Sequence, residues 1–305
     1  MARRKKGNPV HGWLVLDKPL EMTSTRAVGI LKRLFFAQKV GHAGTLDPLA
    51  TGILPIAFGE ATKTVSFAVD GEKVYRFTVR WGAETATDDA EGSVVATGEG
   101  RPTVADIEAL LLQFTGEILQ VPPKFSAIKV DGERAYALAR DGEDVELEPR
   151  PVIIEELRIV DVPDADTVVL EARCGKGTYV RALARDMGRV LGCRGHVVGL
   201  RRARVGPFDE AQAVDLAEIE DAAEAGEDLA GFLQPVEMPL GEILEVNVSP
   251  LDAADLAQGR SVLIRGRDAP VLGGSAYAML KGRIVALGEI EKGALHPTRV
   301  FNFGG

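Results

Sequence analysis

Gly41-His42-Ala43-Gly44-Thr45-Leu46-Asp47-Pro48-Leu49-Ala50-Thr51-Gly52 is the densest run of chain-bending and chemically active residues in this 305-residue sequence. Glycines on both sides of Asp47 permit an irregular backbone that can approach a ligand closely. Pro48 biases Asp47 toward an extended conformation, which nearly fixes the direction of its carboxylate. The apolar run Ile53 to Phe58 then predicts a buried element behind the loop. An aspartate on an apolar wall is poorly solvated, so it either has a raised pKa or needs a cation to act as an ionised nucleophile. The same residues also fit a plainer structure. Asp before Pro is an ordinary helix start, and on this segment alone that reading leads by roughly two to one. His42 by itself reads as a core or turn residue.

Working outward, Gly12 to Asp17 reads as a short apolar strand closed by Lys18 and Pro19. Thr23 and Ser24 can cap a helix starting near Thr25, with Val28, Leu31 and Phe35 on its apolar face. Lys73 to Trp81 alternates as a strand, and Pro102 to Phe114 patterns as a helix. Ala127 to Val130 predicts a strand, turned by Asp131-Gly132 into a helix over Arg134 to Arg140. Val152 to Asp161 and Thr167 to Cys174 predict two more strands. Thr178 to Leu191 predicts a helix that Gly192 ends. Strands and helices alternate without repeated βαβ units, so the expected class is α+β. The stretch Asp215 to Glu245 begins as a helix and becomes a Pro-rich linker around Pro235 and Pro239. Beyond it, short β-like runs up to Phe303 predict a small β-rich second domain.

The net charge is −9, which at first argues against a nucleic-acid partner. Its distribution reverses that. Asp215 to Glu245 holds ten acidic residues and no Lys or Arg, so the remainder is near neutral. Cys174 to Gly206 carries Lys176 and seven arginines, from Arg181 to Arg204, against Asp186 alone. Such a patch can attract a polyanion, although charge alone slightly favours a solvated helix face. The longest apolar runs fall short of the roughly 18 residues of a membrane span. No signal-peptide core follows the basic Met1 to Gly7 segment, so a cytoplasmic setting is expected. Cys174 and Cys193 are too few for a disulfide framework.

Other chemistries fit poorly. Gly175-Lys176-Gly177-Thr178 lacks the upstream glycine of a phosphate loop. Cys174, Cys193 and His196 do not have zinc-site spacing, and no Gly-x-Ser-x-Gly elbow occurs. A glycosidase needs two carboxylates flanking the bond. Here the loop offers one, and the segment around Arg181 offers cations and a tyrosine.

The Gly41–Gly52 run closely resembles the active-site motif of TruB-type tRNA pseudouridine synthases. The resemblance continues through Leu16-Asp17-Lys18-Pro19, Gly59 to Lys63, Tyr75 and the Gly82 to Asp88 segment. It runs on through Pro122-Pro123, Ser126 to Lys129, Arg134 to Tyr136, Lys176 to Arg181 and Gly195 to Arg202, spanning residues 11–208. Arg283 to Glu291 and His296 to Val300 resemble the end of a PUA-like RNA-binding domain.

The resemblance implies the pseudouridine synthase fold: a mixed, mainly antiparallel central sheet with flanking helices and loops. The implied domains are a basic tail over 1–10, a catalytic domain over 11–240 and a PUA-like domain over 241–305. It implies isomerisation of uridine 55 in the tRNA T loop, without a cofactor. The implied partner is the T-arm stem-loop of tRNA, engaged by a monomer that needs no protein partner and no membrane. Asp47 takes the place of the family's nucleophile, with attack on C1′, addition to C6 and a route through a C2′ proton all left open. Arg181 would pair with Asp47 in an enclosed site, and Tyr75 would stack on the uracil with a role in proton transfer. Tyr179 and Leu200 would complete the pocket, and His42 would fill the place of the flipped base. Arg181 to Arg204 and the helix near Arg26 to Arg33 become phosphate-contact candidates. Two alternatives remain: a non-catalytic RNA-binding or RNA-folding protein, and a related synthase acting on another RNA.

Overall fold

The computed structural model describes residues 6–126, 128–130, 133–134, 147–264 and 273–304. Strand Gly12–Lys18 is buried on both faces, which explains its unbroken apolar run. It pairs antiparallel with strand Ala50–Phe58 from Gly12↔Phe58 to Lys18↔Gly52, and parallel with the short strand Val214–Asp215. Strand Gly195–Val205 lies on the other side of Ala50–Phe58 and pairs with it in parallel. The sheet then continues antiparallel through Lys73–Trp81, Thr167–Cys174, Arg150–Asp164 and Gly116–Gln120. The result is the expected mixed, mainly antiparallel sheet of an α+β fold.

Alternation along each strand sorts the core. Phe77, Val79 and Trp81 face helix Val180–Val190, which answers with Val180, Leu183, Ala184 and Met187. Leu14 and Leu16 pack under helices Ser24–Leu34 and Leu216–Glu224. Trp13 and Val15 point the other way, into a cluster shared with Tyr277, Met279, Ile284, Leu287 and Phe301 of the C-terminal sheet. Each fully buried aliphatic side chain of this kind contributes on the order of 1.5–3 kcal/mol.

The C-terminal part is a five-stranded sheet holding Gly274–Leu280, Arg283–Glu291 and Ala294–Val300 at its centre. The short β-like runs of the tail therefore do form strands. Helix Pro250–Ala257 packs there too. Its signal was readable: Ser249 caps Asp252 N, with Pro250 in the first turn. Among the described residues, no helix is long and apolar enough to cross a membrane.

Two expectations are corrected. The segment around Pro235 and Pro239 is not a linker. Gln234 exchanges backbone hydrogen bonds with Trp13 (2.8 and 2.6 Å), and the Trp13 indole donates to Val236 O at 3.2 Å. Val236 and Leu240 are buried there, because two prolines do not prevent a segment from lying along an apolar surface. Second, the proposed Arg134 start of a helix falls in a two-residue strand, Glu133–Arg134, paired with Lys129–Val130. The rest of that expected helix, and Ala127 of the preceding strand, lie outside the described residues.

Candidate active site

The Asp47-Pro48 pair does not start a helix. Ala50 N donates to Asp47 O at 3.0 Å, closing a β-turn with Pro48 in its second position, and strand Ala50–Phe58 follows at once. Proline pre-sets that turn position as well as it does a helix start, so the local sequence could not separate the two.

Three neighbours pin the loop. Ser24, at the start of its helix, accepts from Leu46 N (2.9 Å) and donates to Leu46 O (3.1 Å). Glu21 N donates to Pro48 O at 2.9 Å. Arg202, only 2% exposed, donates to Ile53 O (2.8 Å) and Gly44 O (3.0 Å), and reaches toward Thr45 O (3.5 Å). Gly44 and Gly52 make this clamp possible. Both have positive φ, and a Cβ on Gly52 would lie 2.2 Å from Arg202 O.

The sheet register delivers the other residues. Arg202 stands opposite Tyr75, and Leu200 stands opposite both Ala50 and Phe77. Tyr179 sits just before helix Val180–Val190, its backbone N–H donating to Gln120 Oε1 at 2.8 Å. Asp47, Tyr75, Tyr179, Arg181, Leu200 and Arg202 all line one cavity of about 310 Å³. Five residues expected from the sequence to form the site are thus brought together. His42 is not among the cavity's lining; it ends strand Val40–His42 opposite Ile56.

The expected cation is present. Arg181 Nη2 lies 2.9 Å from Asp47 Oδ2, with the arginine side chain 6% exposed and the aspartate 40% exposed. The site is therefore more open at Asp47 than the sequence reading supposed. Arg181 is itself fixed from behind. Its Nη1 donates to Thr87 O (2.9 Å) and lies 3.3 Å from Asp89 Oδ2, and its Nη2 donates to Phe125 O (3.1 Å). Burial pushes the Tyr75 phenol above its usual range, with the nearby Arg202 charge working against that. Burial also raises the Tyr179 phenol. Both tyrosines line the cavity and keep their protons at neutral pH.

Lys18 is a further buried cation, donating to Pro19 O and Met22 O at 2.8 Å each. Burial lowers it to about 8, partly countered by the Asp47 charge. Lys18, Asp89 and the clamp role of Arg202 were missed as site features. Lys18 and Arg202 lay inside recognised motifs, but which partners they meet depends on strand register.

Three members of the arginine-rich segment are corrected as phosphate contacts. Arg181, Arg185 and Arg202 are buried and spent on carbonyls and carboxylates. Arg189 binds Glu84, while Arg201 binds Asp17 (2.7 Å) and Glu210 (2.5 Å). Counting charge along the chain overstated what reaches solvent, because distant carboxylates fold back onto these arginines. Among the described residues, no group of three metal-ligating side chains converges.

Comparison with known proteins gives the chain's family. The model for the N-terminal domain of TruB family pseudouridylate synthases matches residues 32–180, and that for the tRNA pseudouridylate synthase B C-terminal domain matches 181–241. The chain is 58% identical over 315 residues to tRNA pseudouridine synthase B of Bradyrhizobium diazoefficiens, covering 100% of this chain and 91% of the relative. It is 54% identical over 308 residues to the protein of the same name from Caulobacter vibrioides, covering 99% of each. In fold it matches a chain in the crystal structure of a Cbf5-Nop10-Gar1 complex, with a TM-score of 0.74 at 24% identity over 97% of this chain and 86% of that one. By class, then, the molecule is an isomerase that makes pseudouridine. It belongs to the TruB family of pseudouridylate synthases.

Proposed function

We propose that this enzyme converts uridine 55 in the T loop of tRNA to pseudouridine, with Asp47 as its nucleophile. The observation that carries the reading is the Asp47–Arg181 pair, 2.9 Å apart, in a cavity walled by Tyr75, Tyr179 and Leu200. Pseudouridine formation breaks the N1–C1′ bond, turns the uracil and joins C5 to C1′, so nothing is gained or lost overall. A carboxylate beside C1′ or C6, an aromatic face for the freed base and protonated phenols are sufficient equipment, and no cofactor enters the scheme. Arg181 holds the carboxylate in place through its 2.9 Å contact. Tyr75 stacks on the uracil, and Tyr179 and Leu200 close the pocket around it. The target base reaches the cavity by leaving its stack, at a cost of a few kcal/mol. His42 takes the vacated place in the RNA loop.

In this reading residues 11–240 act as the catalytic domain and 241–305 as a PUA-like RNA-binding domain. The enzyme works as a cytoplasmic monomer without a protein partner. Support for the tRNA substrate comes from the relatives named tRNA pseudouridine synthase B, matched over essentially the whole chain.

The test is a tRNA transcript tritiated at uridine C5, with release of label mapped to position. Release from the T-loop uridine is expected, and its absence there would refute the substrate. Asp47→Asn should bind the RNA and release no tritium; normal turnover by that variant would refute the nucleophile.

A further inference from the structure

Behind the Asp47–Arg181 pair runs a second buried ion pair. Arg185 follows Arg181 by one helical turn, on the same face of helix Val180–Val190. Its Nη1 donates to Asp88 Oδ2 at 2.8 Å, and the two side chains are 7% and 8% exposed. Asp88 precedes Asp89, the carboxylate that faces Arg181. Two parallel arginine–aspartate contacts therefore tie one helix face to one loop.

The loop is set up to transmit a movement of Asp88. Thr87 O and Asp89 Oδ2 are two of the four contacts that orient Arg181, and they flank Asp88 in the chain. Asp88 adopts a left-handed backbone, φ +61°, a region uncommon outside glycine that Asp and Asn enter more readily than other residues. Val197 N donates to Asp88 O at 3.1 Å, so the loop is gripped by the sheet as well as by the helix. We infer that the Asp88–Arg185 pair positions Arg181, and through it Asp47, for the isomerisation. The inference rests on the assignment of Asp47 as nucleophile. Asp88 and Arg185 do not line the cavity, so they act as positioning residues.

A titration follows from this arrangement. Burial pushes the Asp88 carboxyl up to about 6, the Arg185 and Arg181 charges pull it down, and Glu84 pushes it up. Asp186 shares Arg185 at 2.8 Å, Arg189 holds Glu84, and His196 on the adjoining strand contacts Ala83 O at 2.9 Å. Protonation of Asp88 leaves Arg185 with Asp186 and Val121 O, and removes the helix's ionic hold on the loop at Asp88 while the Val197 N bond to Asp88 O remains.

The experiment is the pH profile of tritium release under saturating and limiting tRNA, for the wild type, Asp88→Asn and Arg185→Lys. The wild type should lose kcat on the acid side with a midpoint near pH 6. Asp88→Asn should lower kcat about tenfold or more at neutral pH, as a displacement near the reacting group does. Its KM should stay near the wild-type value, and its acid limb should flatten. Arg185→Lys retains a cation but not the forked contacts, so it should lose kcat by a smaller factor and move the acid midpoint upward. A wild-type acid limb in both variants, or equal losses in kcat and in thermal stability at unchanged midpoint, would overturn the proposal. Should Asp88→Asn fail to fold, an unchanged profile in Arg185→Lys overturns it alone. Asp47→Asn in the same assay separates the two readings: turnover there refutes the nucleophile, whereas unchanged profiles refute the clamp.

Discussion

Replacing Arg202 with methionine tests whether the active-site loop depends on a buried guanidinium. Methionine keeps an unbranched apolar stem, is shorter than arginine and has no polar atom that can donate, so the substitution removes the hydrogen bonds with little change of side-chain volume. Ile53 O and Gly44 O lose donors at 2.8 and 3.0 Å. Charge-assisted bonds of this kind are worth about 1.5–3 kcal/mol each, and the 3.5 Å contact to Thr45 O adds little. Relief from burying a charge offsets part of that loss, leaving a net cost on the order of 2–4 kcal/mol. In a protein of this size the melting temperature should fall by roughly 5–15 °C. Activity should fall further than stability explains. Gly44 and Thr45 tether the chain just before Asp47, and a misplacement of about 1 Å at a reacting group can cost a hundredfold. The assays are thermal melting by circular dichroism and tritium release well below the new melting point. A melting temperature within about 2 °C of wild type, together with kcat within about twofold, would refute the clamp.

Gly52→Ala places a Cβ at a positive φ and 2.2 Å from Arg202 O, so two paired backbones must separate. Urea unfolding should show a loss of about 2–5 kcal/mol, and a loss below about 1 kcal/mol would contradict the close approach. Cys174 is fully buried and its thiol is pushed up to about 11. A thiol reagent at pH 8 should leave it unmodified until denaturant is added, and fast labelling of the folded protein would refute its enclosure. Lys18 has a folded-state value of about 8 against an ordinary 10.5, so the folded protein gives up this proton before the unfolded chain does. That contribution to stability is present above 10.5 and lost as pH falls through 8, by up to roughly 3 kcal/mol. Lys18→Met should flatten this alkaline rise in unfolding free energy, and an unaltered slope would remove Lys18 as its source.

Periodicity located the framework because its signal is local. Lys73–Trp81 and Thr167–Cys174 stand as strands where the sequence placed them, and the Thr178–Leu191 helix frayed by only a residue or two at each end. The cavity residues were found through a set of motifs in order; the sheet register then explains why Tyr75 and Leu200 line the cavity with Asp47, and helix Val180–Val190 brings Arg181 to it. What stayed hidden was non-local. The Asp88–Arg185 pair spans 97 residues, and the Arg202 bond to Gly44 O spans 158. Nothing near either arginine distinguishes it from a solvated one. The same blindness made the arginine-rich segment look like an exposed basic surface, although Asp17, Glu84, Asp88 and Glu210 neutralise much of it. The proline-rich stretch misled for a related reason: Pro235 and Pro239 describe local stiffness, whereas the contact with Trp13 decides where the segment lies.

The junction between Trp13 and Gln234 has a consequence for biosynthesis. Strand Gly12–Lys18 emerges from the ribosome early, but Val214–Asp215 and Gln234 complete its pairing about 200 residues later. At a synthesis rate of roughly 5–20 residues per second, that leaves the strand's outer edge and the Trp13 indole without their final cover for about 10–40 s. During this interval the nascent chain carries an apolar, unpaired edge, which makes it a natural client for a chaperone that holds unfolded chains. Chain truncations ending before Gln234 should therefore aggregate even though they contain Asp47, Tyr75, Tyr179, Arg181 and Leu200.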